Sequence, residues 1–280
     1  GRSKMSVVIN TNYAAVLARK NLAEVQRQMD KSVERLSSGR RINNASDDAA
    51  GSAIAGRMES QIRGLTMGVR HAKDGQSLVG TAEGAMQELN KILQRMRELA
   101  VQSASGVASN TDKDYLNLEM ANLTAQITAI AQNTKFNDQN LLTGTAFTFY
   151  TDMDVAGTAI VTTTAACSAA ALAVTAANVS IGGSSTVNTS AAINRIDTAI
   201  ATVDNRRAAL GAISNRFDHI IDNLQNVIMN TVASQSRIVD ADFSVETTNL
   251  TRNTVLQQAA TSMLAQANAQ KNSILALIQQ

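Results

Sequence analysis

The sequence predicts a mainly α, elongated protein with long coiled-coil-like helices at both ends of the chain and a small β-rich or irregular central insert. First, the 280 residues include no proline, which would break a helix interior, and no tryptophan. Second, apolar residues recur in alternating steps of three and four on both sides of the centre. Third, residues 145–190 are almost free of charge and rich in Ala, Thr, Ser and Val.

The first predicted helix is an amphipathic arm that ends at Gly39, a residue suited to a helix C-cap. Its apolar stripe consists of Leu22, Val25, Met29, Val33 and Leu36. A polar loop follows at residues 43–48, where we expect Ser46 or Asp47 to cap the next helix.

The next helix carries the longest seam, with one local shift around Val79–Ala82. The seam residues are Met58, Ile62, Leu65, Val69, Ala72, Gln76, Val79, Ala82, Met86, Leu89, Leu93, Met96 and Ala100. A repeat close to 3.5 residues per turn is typical of coiled coils. Several glycines interrupt this helix, and each costs up to about 1 kcal/mol, so it depends on packing partners.

A third helix is predicted from Thr111 or Asp112 to Asn133, followed by a turn-rich segment at 134–144. Within the insert, β-propensity favours short strands at 147–150, 159–162 and 187–189. The helical pattern resumes at Ile193 and continues to Ile228, and a final arm follows Asp240. This order brings helices from both termini together, with the insert between them.

Catalytic, cofactor and metal sites are not expected. His71 and His219 are isolated, and the single Cys167 has no nearby histidine. The net charge of +2 comes without a dense basic stripe, so nucleic acid is not an expected partner. No run of residues is apolar enough to span a membrane, and no signal-peptide core follows Met5. Residues 1–4 are expected to be an expression remnant.

Three motifs carry a family resemblance. Residues 34–55 read ERLSSGRRINNASDDAAGSAIA, residues 93–102 read LQRMRELAVQ, and residues 256–268 read LQQAATSMLAQAN. Together with the opening Ile9-Asn10-Thr11-Asn12, they resemble the N-terminal and C-terminal signatures of bacterial flagellins. The similar segments cover about residues 5–144 and 191–280.

This resemblance implies a hairpin-shaped structural subunit of the flagellar filament, serving motility and exported without a cleaved signal peptide. It implies an inner coiled-coil domain at 5–46 with 240–280, and a rod-like domain at 47–144 with 191–239. Residues 145–190 would be the solvent-facing outer insert.

The implied partners are further copies of the chain, an export chaperone and the export apparatus, and hook-associated and cap proteins. Terminal arms with narrow apolar stripes are expected to order when neighbouring subunits supply partner stripes. The candidate self-assembly residues are Leu22, Val25, Met29, Val33, Leu36, Leu256, Met263, Leu264, Ile274 and Ile278.

A second implied site is a patch recognised by an animal Toll-like receptor, at Arg95, Leu99 and Glu119. Two other functions remain open alternatives. One is a hook–filament junction protein of the same architecture, and the other is a cell-surface polysaccharide-binding homologue that uses the insert as its binding surface.

Overall fold

The computed structural model describes residues 12–151, 159–183 and 189–278, with side chains described to residue 269. The expression remnant predicted at 1–4 and most of the opening motif at 9–12 lie outside these residues. Within them the chain forms two compact units, one of positions up to 60 with positions from 231 onward, the other of 61–230. The inner, rod and outer domain boundaries stay a prediction.

The first unit contains an antiparallel pair of helices, α1 (Tyr13–Ser38) and α5 (Phe243–Ile278), which we call the arm pair. The Asn12 amide donates to the Ala267 carbonyl at 3.1 Å, and the Gln257 amide donates to the Gln26 side chain at 2.7 Å. Because partners near the start of α1 lie near the end of α5, the two helices run in opposite directions. The unit also contains the beginning of α2 (Ala49–Ser103) and the end of α4 (Thr189–Val239).

The helix ends in this unit follow local chemistry. Gly39 has a φ of +68°, so the predicted C-cap is confirmed. The N-cap of α2 is Asp48, whose carboxylate accepts the Gly51 amide proton at 2.9 Å, so the prediction of Ser46 or Asp47 was wrong. Asp47 instead accepts from the Asn43 and Asn44 amides and pairs with Lys31, and these contacts, the Lys31 hydrogen bond first, lower its pKa to about 2.

The second unit is built around one continuous hydrophobic core, to which α2, α3 (Asn110–Asn133), α4 and the central region between α3 and α4 contribute. Its largest fully buried side chains include Met86, Leu89, Leu93, Met96 and Phe217. Helix α3 begins with a capping box, in which Ser109 and Asp112 accept from each other's backbone amides. The predicted mainly α class, with long helices toward both ends and a small central region of strands, is confirmed.

The structure confirms the seam of α2, except that two of its positions are shifted by one residue. Gly68 and Gly75 are buried, whereas the predicted Val69 and Gln76 are only half-buried. With the glycines included, the seam keeps steps of three and four from Leu65 to Ala100, and the apparent shift disappears. Gly75 is buried because the Phe217 ring occupies the space in front of it: a Cβ there would lie 2.6 Å from the ring.

The central region contains two antiparallel hairpins. The first pairs β1 (Lys135–Phe136) with β2 (Gln139–Asn140), and its turn places Asn137 and Asp138 at positive φ. The second pairs β3 (Ala146–Tyr150) with β4 (Ala159–Thr163), confirming the first two predicted strands. Of the third predicted strand, 187 and 188 lie outside the described residues, and Thr189 begins α4.

The insert is anchored to α4 through Cys167, which is fully buried. Arg206 interrupts the apolar seam of α4 and donates to the Ala166 carbonyl at 2.6 Å and to the Cys167 sulfur at 3.2 Å. Burial raises the pKa of the Cys167 thiol, and Arg206 opposes that rise. The thiol also donates to the Ala165 carbonyl at 3.4 Å, so it serves as a small packed side chain with hydrogen bonds on two sides.

We predict that Leu93→Ala lowers the unfolding free energy of the second unit by about 2–5 kcal/mol, because a fully buried leucine leaves a cavity. The measurement is denaturant unfolding followed by circular dichroism. Leu118→Ala is the matched control, since that leucine is 65% exposed, and its change should stay within about 0.5 kcal/mol. Equal losses in the two variants would contradict the assigned core.

Candidate functional site

The arm pair carries two different faces along its length. Its inner face is a seam with heptad spacing in both helices. On α1 the seam residues are Ala15, Ala18, Leu22, Val25, Met29, Ser32 and Leu36. On α5 they are Glu246, Leu250, Asn253, Gln257, Ala260, Leu264 and Ala267. All of these side chains are buried or half-buried, so the two arms pack against each other along this seam.

The seam is thin in apolar terms. Among the described residues of the first unit, Ile42 is the one large apolar side chain that is fully buried; the other buried residues are small or polar. Ser32, Glu246 and Asn253 take seam positions that a conventional coiled coil gives to leucine or valine. The arm pair therefore gains little stability from hydrophobic burial.

A buried polar cluster replaces that missing core near one end of the pair. Glu246, whose side chain is 8% exposed, accepts from the Arg35 guanidinium at 2.8 Å and from the Ser32 hydroxyl at 3.1 Å. A charge-assisted contact of this kind stabilises a structure more than a neutral one does. Sequence reasoning missed this cluster. The sequence did contain a signal for it, because Glu246 is an acidic residue at a position where the heptad spacing of α5 predicts an apolar one.

The outer side of the arm pair exposes apolar side chains. The predicted self-assembly residues divide accordingly: Leu22, Val25, Met29, Leu36 and Leu264 lie on the seam, whereas Val33, Leu256 and Met263 are 49%, 45% and 66% exposed. We call these three residues the arm flank. Ile274 and Ile278 stand in α5, but their side chains lie outside the described residues.

Other apolar residues of the two arm helices are exposed as well. On α1 these are Tyr13, Val16 and Leu17, and on α5 they are Phe243, Val245 and Val255. Leu256 and Met263 are one heptad apart, so they lie on the same side of α5. Exposed apolar side chains repeated along one side of a helix are typical of a surface that binds another protein.

The predicted receptor residues lie in the second unit. Arg95 donates to Glu119 of α3 at 2.9 Å and to Glu98 at 3.0 Å, and all three side chains are substantially exposed. The two carboxylates, Glu119 first, raise the pKa of Arg95. Leu99 is 1% exposed and belongs to the core beneath them. We call Arg95, Glu98 and Glu119 the charged patch.

Two features are absent from the part of the chain that the structure describes. No group of three or more His, Cys, Asp or Glu side chains is gathered there as metal ligands would be. None of its helices combines the length and apolar character needed to cross a bilayer.

Comparison with known families decides the relationship. The model for the bacterial flagellin N-terminal helical region matches residues 9–146, and that for the C-terminal helical region matches residues 193–278. The chain belongs to the bacterial flagellin family. This confirms the resemblance recognised in the sequence, and the two flagellin regions match on either side of the insert.

Two similar flagellar proteins align with nearly the whole chain. One from Halalkalibacterium halodurans is 41% identical over 275 residues, covering 97% of this chain and 100% of the relative. The flagellar filament 33 kDa core protein of Treponema phagedenis is 37% identical over 292 residues, covering 97% and 100%. The crystal structure of Bacillus cereus flagellin is 30% identical and covers 55% of this chain and 88% of that chain, with a TM-score of 0.48. Flagellins are structural proteins of the extracellular filament that serves motility.

We predict that Glu246→Ala loosens the arm pair by about 2–4 kcal/mol, because Arg35 is left without its buried partner. Amide hydrogen exchange should show lower protection in α1 and α5 and unchanged protection in the second unit. Glu24→Ala is the control, since Glu24 forms an exposed pair with Arg27 on the same arm. Equal effects of the two substitutions would exclude a special role for the buried cluster.

Proposed function

We propose that this chain is the structural subunit of a bacterial flagellar filament and that it polymerises through the arm pair. The observation that carries the proposal is the contrast between a thin, partly polar seam and an exposed apolar flank. A helix pair with so little internal burial gains most when further copies cover the flank, because each covered apolar square ångström adds about 25 cal/mol. Full-length similarity to flagellins supports the same function.

The domain arrangement is part of this proposal. The arms at 5–46 and 240–280 would form the inner domain, and 47–144 with 191–239 the rod. Residues 145–190 would face solvent as the outer insert. The dense core of the second unit supports a rod that is already folded in the monomer, whereas the arms depend on neighbours for most of their burial.

The seam and flank residues would have different roles in assembly. Leu22, Val25, Met29, Leu36 and Leu264 would hold the arms together within one subunit. Val33, Leu256 and Met263 would contact the next subunit. Ile274 and Ile278 continue the heptad spacing of the α5 seam, so we group them with the seam residues. An export chaperone, the export apparatus and hook-associated and cap proteins are the further partners proposed, with export that leaves no cleaved signal.

The two alternatives make different use of the same parts. A hook–filament junction protein would cap or join filaments without forming their bulk. A polysaccharide-binding homologue would use the insert. Similarity to flagellins and a filament core protein over 97% of the chain favours the bulk subunit.

Recognition by an animal Toll-like receptor is proposed for the charged patch. Its support is geometric: Arg95 and Glu119 come from different helices and present opposite charges side by side on an exposed surface. A receptor would contact these charged side chains directly. Leu99, buried in the same turn of α2, would act by holding that turn against the core.

We predict that Leu256→Asp or Met263→Asp slows filament elongation by roughly tenfold or more, because each places a charge in an apolar contact between subunits. Purified subunit is added to preformed seeds, and growth is followed by sedimentation and electron microscopy. Circular dichroism verifies that each variant keeps its helices.

The control for this experiment is Val161→Asp on β4 of the insert, where the valine is 57% exposed. It should elongate at the unsubstituted rate. Normal growth of both arm variants would remove the flank from the interface. Failure of the unsubstituted chain to grow on its own seeds would favour the junction protein, and glycan binding abolished by deletion of 145–190 would favour the surface-binding homologue.

We predict that Arg95→Ala weakens binding of the monomer to a soluble Toll-like receptor ectodomain by roughly tenfold, since buried arginine contacts often dominate such interfaces. Isothermal calorimetry measures the dissociation constant. Arg97→Ala is the matched control, because Arg97 lies two residues away and pairs with Asp197 of α4. Receptor binding that is unchanged in the Arg95 variant would contradict recognition through the patch.

A further inference from the structure

A ladder of polar contacts follows one side of the α2–α4 seam. Gln76 donates to Asp218 at 2.8 Å, Asn90 to Asp204 at 2.6 Å, and Arg97 to Asp197 at 2.7 Å. The α2 members share heptad spacing, and so do their partners on α4, which run in the opposite direction. All three contacts therefore belong to one register, that is, to one alignment of α2 along α4.

One rung of the ladder is different. The spacing places Glu83 opposite Gly211, which has no side chain, and a Cβ at Gly211 would meet nothing within 4 Å. Arg207 extends from one turn earlier in α4 and lies 3.6 Å from the Glu83 carboxylate. Glu83 is thus the one acidic residue among the α2 positions of the ladder, and the α4 residue opposite it, Gly211, has no side chain.

A packing contact marks the same register. The Phe217 ring lies against Gly75, where a Cβ would approach the ring to 2.6 Å. Phe217 is fully buried, so its fit depends on the missing side chain at residue 75. We call this contact the Gly75 socket.

The apolar seam by itself does not determine this register. Both helices repeat their apolar positions every heptad, so sliding one past the other by seven residues, about 10 Å, again opposes apolar residues to apolar residues. Coiled coils with such repeats need additional features to exclude the alternatives. The ladder and the socket are the two candidates here.

Each one-heptad slip meets an obstacle at both features. In one direction Phe217 would face Ala82, which has a Cβ, and Glu83 would face Asp218. In the other direction Phe217 would face Gly68, whose open side is already occupied by the Thr151 carbonyl, 2.7 Å from where a Cβ would lie. Glu83 would then face Asp204. Like charges directly opposed are unfavourable.

We propose that Phe217 and Glu83 form a register selector, which excludes both one-heptad alternatives of the α2–α4 pair during folding. Phe217 selects by size, because its ring has space at Gly75 alone. Glu83 selects by charge, because only the native register opposes it to a residue without a carboxylate. The two devices act on the same slip through adjacent residues, at 82 and 83 on α2 and at 217 and 218 on α4.

The test traps a slipped register during refolding of the full chain. Gln76→Cys with Gln225→Cys places two thiols opposite each other only after the first slip, in a Cys167→Ala background that removes the native thiol. The chain refolds from denaturant with a short bis-maleimide, each end of which adds one cysteine thiol, and the crosslinked fraction is measured by gel and mass spectrometry. Arg97→Cys with Asp197→Cys, a native rung that neither slip argument uses, reports the native register in the same way.

Ala82→Gly with Glu83→Lys opens a second socket for Phe217 and gives residue 83 an attractive partner in Asp218. We expect the fraction of chains crosslinked in the slipped register to increase by roughly fivefold or more, because the variant changes both the charge at residue 83 and the space at residue 82. The matched control is Ala85→Gly with Glu88→Lys, which makes the same two changes on the same helix, away from the ladder. It should leave the slipped crosslink at its original level.

Two outcomes would overturn the proposal. The first is an equal slipped fraction in the paired variant and its control. The second is an increase accompanied by loss of helical circular dichroism, because local melting, and not a change of register, would then bring the thiols together. A gain in slipped crosslink with matching loss of native crosslink and full helicity supports the selector.

Discussion

The contact on which the second unit depends is the continuous heptad seam of α2, closed by the Phe217 ring at Gly75. A helix with glycine at so many interior positions is a poor helix by propensity. Two of these glycines are seam positions, and at Gly75 the lost propensity is offset by a buried aromatic ring that no other residue would accommodate. The core residues from Leu65 to Ala100 then share one face, and α3, α4 and the insert pack on or beside it.

The arm pair uses the same heptad geometry with different side chains. Its seam is filled by Ala, Ser and Asn together with half-buried aliphatic residues, and Glu246 takes a place that would otherwise hold a leucine. Such a seam gains little from burial, so ordering the arms in isolation yields a small net free energy. The exposed flank at Val33, Leu256 and Met263 offers the missing burial to another chain. An arm of this kind is suited to a subunit whose final packing is completed by its neighbours.

Much of this architecture could be predicted from the sequence, because heptad spacing, glycine caps and the change of composition at the insert are local signals. The predicted seam missed Gly68 and Gly75, since glycine has no side chain to mark it as apolar, and its burial depends on what packs against it: the Thr151 carbonyl at Gly68 and the Phe217 ring at Gly75. The cap of α2 was displaced by one residue because Asp47 is engaged by Lys31. The polar cluster at Glu246 joins residues more than two hundred positions apart, and only the pairing of α1 with α5 reveals it.

The two seams also need different means of fixing their register. In the second unit the side chains differ enough in size for Phe217 and a glycine to distinguish one register from the next. In the arm pair the seam side chains are small or flexible, so size discriminates poorly between registers. A largely buried carboxylate that must meet both Ser32 and Arg35 discriminates better, because a slip would leave it without either partner. The contacts of Glu246 therefore favour one alignment of α1 with α5, and with it one arrangement of the exposed flank residues.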